Sequence, residues 1–344
     1  MDGIINEIEF YQQKLKTAKA NLYQQESDKE KYIPKIINQE ITDQWVAYHG
    51  DCVEVLKGIP SNSMHYSIFS PPFSSLFTYS ASERDMGNST DDEFYTHFKY
   101  LIPELYRVMM PGRLLSFHCA DIPAMKERDG YMGLKAFPNI LLREFEKVGF
   151  IYHSRCMIWK DPLLEAVRTK SLRLAHKQIS KDSSRCGTGN ADYIVSIVKP
   201  GGNPEPISHG RGFEYYIGEK NEPKEGKNDN PAINKYSHNV WQRYASPCWF
   251  DIRQGNTLNI RQARGKDDER HICPLQLDAI ARCLELWSNK GDTVLTPFGG
   301  IGSEGYQAVL MGRKAVLIEL KETYYNVLVK NMKSTTNAKL KSFL

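Results

Sequence analysis

One short segment of the sequence combines residue types that could hold an amine. Ser70-Pro71-Pro72-Phe73 directly follows a compact run of mostly apolar residues, 64–69. Two prolines fix an extended, rigid loop, and Pro71 still offers its carbonyl. Ser70 offers a hydroxyl oxygen, and Phe73 offers a flat aromatic face. Together they could cradle a planar group that carries an NH2, although a Pro-Pro turn with a packed phenylalanine remains open.

A second segment has the composition of a nucleotide-binding turn. The run TPFGGIG (residues 296–302) lies between an apolar run and a helical pattern. Glycines let the backbone approach a ligand closely and turn into a helix whose first N–H groups are free. Glu319 follows Gly302 by 17 residues, at the end of the next apolar run. A carboxylate there can accept both ribose hydroxyl protons, so the pair indicates a nucleoside cofactor.

The elements around these segments alternate between strands and helices. Short apolar runs predict strands at 45–48, 64–69, 113–118, 150–159, 292–296 and 314–320. Periodic patterns predict helices at 53–58, 91–110, 140–148, 274–287, 303–311 and 323–332. This alternation predicts an α/β fold with a doubly wound, mainly parallel sheet. In such sheets ligands bind at the carboxyl ends of the strands.

Two regions fall outside this pattern. Residues 4–32 predict a polar helix, so residues 1–44 are interpreted as an N-terminal helical arm that could serve dimerisation, clamp DNA or simply pack on the domain. Residues 160–265 are rich in Gly, Pro, Asn and Lys, which predicts an inserted or second domain.

Composition excludes several classes of protein. The 344 residues are 41% hydrophobic and 25% charged, as in an ordinary soluble globular protein. We find neither an apolar stretch long enough to span a membrane nor a signal peptide. Seven cysteines without a Cys-x-x-Cys pair favour a reducing cytoplasm over a disulfide framework. The histidines show no metal-ligand spacing, which predicts no metal.

The motifs together resemble those of a known family. HGDC (49–52), SPPF (70–73), CPLQL (273–277), TPFGGIGSEG (296–305) and LIEL (317–320) are similar to the motifs of DNA amino-methyltransferases. The resemblance covers residues 45–160 and 268–332. It implies a Rossmann-like sheet that binds S-adenosyl-L-methionine. The catalytic tetrapeptide precedes the cofactor loop, an order similar to the circularly permuted β class, in its long phage or orphan form.

This resemblance assigns roles to the regions and to single residues. It implies a catalytic half (45–160), a target-recognition region (161–267) and a cofactor-binding half (268–344). The implied catalytic residues are Ser70, Pro71, Pro72 and Phe73. The implied cofactor-binding residues are Asp51, Pro274, Phe298, Gly300, Gly302 and Glu319, with Leu275 beside Pro274. One departure stands out, because Thr296 occupies a position where aspartate is usual.

The implied reaction is a direct methyl transfer to an exocyclic amine. Hydrogen bonds from the amine to the Ser70 side chain and the Pro71 carbonyl would localise a lone pair that is otherwise delocalised into the base. The base must leave the duplex, which costs on the order of a few kcal/mol, partly offset by stacking on Phe73. The long SPPFSSLFTYS form (residues 70–80) slightly favours adenine-N6 over cytosine-N4, although a leading serine is commoner in cytosine-N4 enzymes.

Double-stranded DNA is the partner that this reaction implies. Residues 168–185 hold six basic side chains and one acidic one, which is typical of a segment that contacts phosphates. The predicted DNA-binding residues are Arg168, Lys170, Arg173, Lys177 and Arg185. A solvated basic helix with no such role is the alternative. No nuclease motif is evident, so an orphan enzyme or one paired with a separate nuclease is expected.

Three other interpretations compete with this one. Pro247-Cys248 is the dipeptide that C5-cytosine methyltransferases use as a nucleophile, but it lies in the irregular region and not after a predicted strand. A sequence-specific DNA-binding protein without catalysis would not need both motifs intact. A dinucleotide oxidoreductase would be expected to carry a fuller G-x-G-x-x-G run near the N-terminus, which is absent.

Overall fold

The computed structural model describes residues 34–72, 91–124, 126–169, 174–219, 223, 226–259 and 274–342. The predicted helix at 4–32 and Phe73 lie outside these ranges. The strands are β1 (Asn38–Ile41), β2 (Trp45–His49), β3 (Tyr66–Phe69), β4 (Leu114–Ala120), β5 (Ile122–Ala124), β6 (Gly133–Lys135), β7 (Ile151–Ile158), β8 (Asp192–Val198), β9 (Cys248–Trp249), β10 (Thr293–Thr296) and β11 (Lys314–Glu319).

The α-helices of the same ranges divide into an early and a late group. They are α1 (Cys52–Lys57), α2 (Asp91–Val108), α3 (Lys126–Asp129), α4 (Phe137–Val148), α5 (Pro162–Thr169), α6 (Ile179–Asp182), α7 (Lys235–Tyr244), α8 (Leu277–Trp287), α9 (Ser303–Leu310) and α10 (Glu322–Ser342).

One mixed sheet organises the described part of the chain. Nine of its strands pair in the order β1-β2-β11-β10-β3-β4-β8-β7-β9. The five from β2 to β4 run parallel. Strand β8 runs antiparallel to both β4 and β7, and β1 runs antiparallel to β2. The predicted α/β fold with a parallel centre is therefore confirmed.

Two strands correct the predicted division of the chain. Residues 38–41, assigned from sequence to the helical arm, form the edge strand β1. Strand β8 falls within 161–267, the predicted insertion, yet it lies inside the sheet between β4 and β7. Its sequence DYIVSIV is largely buried, because both faces of this part of the sheet are covered. That region therefore supplies a core strand as well as loops.

Alternate residues of the strands feed two apolar layers. On one face, Phe69 and Phe117 pack with side chains of α1, α2 and α4. On the other, Ile68 and Ile194 pack with side chains of α8, α9 and α10. The result is a three-layer arrangement in which both faces of the sheet are covered. Parallel strands require such cover, and the uninterrupted burial of β3 reflects it.

Local sequence explains where the elements nearest the carboxyl edge begin and end. The Asp51 carboxylate accepts hydrogen bonds from the N–H groups of Val53 and Glu54, at 2.8 and 3.2 Å, and so caps α1. Gly149 adopts a left-handed conformation that ends α4, and Phe150 then leads into β7. Among the described helices, none combines the length and apolar character needed to cross a bilayer.

Candidate active site

Strands β3 and β10 bring the two chemistry-bearing segments together. They are parallel neighbours, with Val294 opposite Tyr66 and Leu295 opposite Ser67. The serine–proline tetrapeptide follows β3, and the glycine loop follows β10, so both start at the same edge of the sheet. Across this junction the rings of Phe69 and Phe298 pack with their centroids 5.7 Å apart. Segments more than 200 residues apart in sequence therefore meet at one edge.

Ser70 lies partly exposed where β3 ends, with Pro71 buried and Pro72 half-buried behind it. The Ser70 hydroxyl is 3.0 Å from Nδ1 of His118 on the neighbouring strand β4. Ser70 and His118 lie on the same face of the sheet as the buried Ser116, whose hydroxyl accepts a 2.7 Å hydrogen bond from Tyr66. Desolvation raises the pKa of that tyrosine well above its ordinary value. A line of satisfied polar groups thus leads to the edge.

Two further charged residues contact the far side of the His118 ring. Nε2 of His118 lies 3.2 Å from Asp192 Oδ2 at the start of β8. The other oxygen of that carboxylate lies 2.6 Å from Nζ of Lys160, beyond the end of β7. Burial alone would raise the pKa of Asp192, but the charges and hydrogen bonds of His118 and Lys160 outweigh it and lower that pKa to about 2. Asp192 is therefore a carboxylate near neutral pH.

The glycine loop makes a tight turn from β10 into α9. Gly299 donates to the Ile318 carbonyl and Gly302 to the Gly299 carbonyl, both at 2.7 Å. Gly300 and Gly302 have φ of +52° and +92°, a region that favours glycine. A Cβ built on Gly299 would lie 2.7 Å from Leu328, whereas one on Gly300 would meet nothing within 4 Å. Gly299 is thus required for packing, and Gly300 borders open space.

Glu319 ends β11 beside this loop. Its Oε2 accepts a 2.7 Å hydrogen bond from the Gly300 N–H, and its Oε1 accepts one of 2.8 Å from Lys321. A carboxylate oxygen can accept more than one hydrogen bond, so these contacts leave capacity for hydroxyl donors. Asp51 follows β2, the strand paired with β11, and Gly50 donates to the Glu319 carbonyl at 3.0 Å. The two carboxylates therefore share the same edge.

The arrangement fits a nucleoside cofactor on two observations. The space over Gly300 is open. In the part of the chain that the structure describes, the buried hydroxyl of Ser303, on the first turn of α9, has no hydrogen-bond partner. A buried polar atom of this kind calls for a partner, which a bound polar ligand would provide.

The remaining cofactor candidates frame this region. Leu275 is buried, and Pro274 is half-buried just ahead of α8. Phe298 lies on the catalytic side through its contact with Phe69. Thr296, where an aspartate is usual in the family that the sequence resembles, is buried, and its hydroxyl donates to the Phe298 carbonyl at 3.3 Å. It stabilises the turn without adding a charge.

The predicted DNA-binding segment is described only in part. Arg168 lies in α5, without a described side chain, and Lys170 and Arg173 lie outside the described residues. Lys177 and Arg185 are exposed in a run of short helices, and Arg185 comes within 3.8 Å of Asp182. The described basic side chains thus point into solvent, as contact with phosphates requires.

Sequence analysis missed three residues of the site. His118 was considered only as a metal ligand, and Asp192 and Lys160 were not considered. The available signal was the position of His118 near the end of a buried strand beside the one that ends at Ser70. Asp192 could not be found in this way, because its place depends on the antiparallel insertion of β8.

One cluster of possible metal ligands lies at the amino end of the strands. Ligand atoms of His65, Glu205 and Asp292 lie within 4.8 Å of one another. However, Asp292 pairs with the buried guanidinium of Arg113, and His65 lies 3.3 Å from Glu205. Because Arg113 already compensates the Asp292 charge, the cluster does not indicate a metal site, and the absence of a metal stays a prediction.

Comparison with known proteins points to one class. A family model described as DNA methylase matches residues 64–330. The Type II methyltransferase M.BglI of Bacillus subtilis is 22% identical over 319 residues, which span 83% of this chain and 85% of that protein.

Two solved structures share the fold. A putative DNA modification methylase of Thermus thermophilus, complexed with S-adenosyl-L-methionine, has a TM-score of 0.56 at 20% identity, over 83% of this chain and 94% of its own. The cytosine-N4-specific PvuII DNA methyltransferase also has a TM-score of 0.56, at 15% identity, over 88% and 94%.

Proposed function

Because this chain belongs to the N6/N4 DNA methylase family, which confirms the resemblance drawn from its motifs and S-adenosyl-L-methionine as its cofactor, we propose that it methylates one flipped base within a specific DNA sequence. The acceptor is the exocyclic amine of adenine or cytosine. Adenine-N6 is slightly favoured by the long form of the catalytic segment. Cytosine-N4 is the second candidate, because the tetrapeptide begins with serine.

One observation carries the proposal. Ser70 and the glycine loop follow adjacent parallel strands, and the Phe69–Phe298 contact joins them. A group held at Ser70 therefore lies next to a group held over Gly300. Transfer between two bound groups needs this proximity, which converts a bimolecular reaction into one within a single complex.

The residues at the edge divide the work. The Ser70 hydroxyl and the Pro71 carbonyl are both acceptors that can take the two N–H bonds of an amine. Phe73 would stack on the base. When bound, S-adenosyl-L-methionine supplies a methyl group on a sulfonium, which an amine can displace. Glu319 would hold ribose hydroxyls, and Gly300 and Gly302 would let the backbone approach the cofactor. Asp51, Phe298 and Pro274 would line the remaining sides.

Two rival functions fit the structure less well. Cys248, the candidate nucleophile for C5-cytosine methylation, lies in β9 at the far edge of the sheet from β1. Desolvation raises the pKa of its thiol, which disfavours the nucleophilic thiolate. A DNA-binding protein without catalysis would not explain why the tetrapeptide and the glycine loop both remain intact and adjacent.

The test identifies the methylated nucleoside. Duplex DNA incubated with the protein and isotope-labelled S-adenosyl-L-methionine is digested, and its nucleosides are separated by mass spectrometry. We expect label in N6-methyladenine or N4-methylcytosine. Methyl on carbon 5 of cytosine, or no label in DNA, would contradict the proposal.

A Ser70→Ala variant tests the role of the tetrapeptide. Removing the hydroxyl leaves the amine with one acceptor, so we expect the rate of methyl transfer to fall by about 10²-fold or more, the usual effect of losing one positioned transition-state contact. The dissociation constant for S-adenosyl-L-methionine, measured by calorimetry, should change little. An equal loss of cofactor affinity would mean that Ser70 is misassigned.

A further inference from the structure

The polar line behind Ser70 crosses three segments of the chain. Ser70 contacts His118, His118 faces Asp192, and Asp192 pairs with Lys160, at 3.0, 3.2 and 2.6 Å. His118 and Asp192 are buried, so these contacts are largely shielded from water. In a shielded site, each charge strongly influences the protonation and hydrogen bonding of its neighbours.

The line fixes the direction of the Ser70 hydroxyl. Nε2 of His118 faces a carboxylate, which can only accept, so this nitrogen carries the ring proton. Nδ1 is then an acceptor, and Ser70 donates its hydroxyl hydrogen to it. The lone pairs of Ser70 Oγ are left for the open side of the site. Ser70 is thereby set as an acceptor toward an amine.

We propose that His118, held by Asp192, positions Ser70 as an acceptor for the substrate amine and takes up, through Ser70, the proton that this amine loses on methylation. The inference rests on the proposed function and deepens it. His118, Asp192 and Lys160 act through Ser70 and are positioning residues, whereas Ser70 would touch the base.

The step balances without any further reactant. The amine nitrogen forms a bond to the methyl carbon, and the carbon–sulfur bond breaks with its electron pair staying on sulfur. The nitrogen, now positively charged, gives one proton to Ser70 Oγ while the hydroxyl proton of Ser70 passes to Nδ1 of His118. Serine is neutral before and after. The imidazolium is paired with Asp192 and later releases its proton to water.

This arrangement predicts a dependence on pH. A protonated His118 would donate to Ser70 Oγ, which would turn the serine hydroxyl toward the substrate as a donor and remove the proton acceptor. Methyl transfer should therefore fall as pH is lowered. The charges facing the ring are those of Asp192 and Lys160. Asp121 and Arg155 lie near the adjoining Cys119, where their charges act on the pKa of that thiol. Asp192 stays ionised throughout, because its pKa is about 2.

The kinetic test compares single-turnover methyl transfer between pH 5 and 9 in the wild type, His118→Asn and Asp192→Asn. Asparagine at 118 can still accept from Ser70 but cannot take a proton. We expect both variants to be about 10² to 10³-fold slower at pH 8, within the usual range for proton transfer. His118→Asn should also lose the fall in rate at low pH. His153→Asn, which removes a histidine from β7, is the matched control and should behave as wild type.

A second readout needs neither cofactor nor DNA. Nitrogen NMR of the histidine rings in the free protein should show the Nε2–H form of His118 at pH 8, with His118→Asn giving the assignment. Asp192→Asn should change that signal. A Nδ1–H form in the wild type would overturn the proposal. It would also be overturned by a His118→Asn variant that binds the cofactor normally and transfers methyl within 3-fold of wild type, or that keeps the fall at low pH.

Lys160→Met separates this inference from a loss of folding. The lysine charge opposes protonation of His118 across the shared carboxylate, so its removal should move the fall in rate to higher pH while the rate at pH 9 stays within about 3-fold. An unchanged or lowered midpoint would argue against the relay. Failure of the proposed function is distinguishable, since the wild type would then methylate no exocyclic amine at any pH.

Discussion

Two glycines at opposite ends of β10 differ in what they border. Gly291, before the strand, and Gly300, after it, have φ of +89° and +52°, and a Cβ on either would meet nothing within 4 Å. Both substitutions to alanine are therefore strained in the same way, but only Gly300 lies beside Glu319 and the buried hydroxyl of Ser303. The pair separates backbone strain from ligand contact.

For Gly300→Ala we expect a loss of about 1–2 kcal/mol in the free energy of unfolding, from the left-handed backbone, and at least about a 10-fold weaker affinity for S-adenosyl-L-methionine, from the space that the methyl group fills. Urea denaturation and calorimetry measure the two quantities. Gly291→Ala should show a similar loss of stability with unchanged affinity. Equal affinities in both variants would remove Gly300 from the cofactor site.

At this scale the sequence reveals residues that belong to a motif and misses those that act at a distance. Ser70 and Glu319 were found because each follows an apolar run near other diagnostic residues. His118 carries no local signal for its role, since a histidine near a strand end has many uses. Its partners Asp192 and Lys160 come 74 and 42 residues later. Only the pairing of β4 with β8 brings Asp192 to it.

Helix α9 carries an uncompensated acid in its first turn. Desolvation raises the pKa of the buried Glu304 to about 8, although a backbone hydrogen bond lowers it slightly. The native state therefore holds this carboxyl protonated near neutral pH, whereas the unfolded chain ionises it near its ordinary value of 4.5. Its contribution to stability is complete below pH 4.5 and is lost as the pH rises toward and through 8.

Replacing this acid should flatten the loss. From these pKa values, the stability of Glu304→Gln relative to wild type should rise by about 4 kcal/mol between pH 5 and pH 9. Urea denaturation at several pH values between these limits measures it. Glu322→Gln, which changes an exposed acid at the start of α10, is the control and should follow wild type. Parallel curves for wild type and Glu304→Gln would show that the carboxyl finds a compensating partner.

Element types were predictable because most strands are uninterrupted apolar runs. Strands β3, β10 and β11 and helices α8 and α9 appear close to their predicted places, with ends that differ by a few residues. The edge strand β1 was missed since its sequence NQEI is polar and largely exposed. Such a strand is held by backbone pairing with β2, which leaves no apolar pattern to find.

Over the whole molecule, the basic segment 168–185 should decide how DNA affinity depends on salt. Each phosphate neutralised contributes about 0.9 to the slope of log affinity against log salt. Replacing Lys177, Lys181 and Arg185 together by alanine should reduce that slope by up to about 3, measured by fluorescence anisotropy with a labelled duplex. The control removes Lys57 and Lys147 from helices α1 and α4, and should leave the slope unchanged. An unaltered slope in the triple variant would indicate a solvated segment with no role in binding.

The division of the chain was the least predictable feature. Loops rich in Gly, Pro and Asn surround β8, so composition alone reads residues 161–267 as a separate unit. Seven buried or half-buried residues in that strand instead pair on both sides with β4 and β7. Which strand pairs with which is a property of the folded sheet, and a single sequence does not encode it locally.

Strand β8 starts at the catalytic edge, whereas its parallel neighbours finish there, and this orientation separates chemistry from recognition at a single peptide bond. Everything between Asp161 and Ala191 can vary in length or be grafted from a homologue without displacing the carboxylate at Asp192, since the backbone of β8 anchors it from the other side. A natural or engineered junction there would let new target sequences evolve while the methylation chemistry is inherited intact.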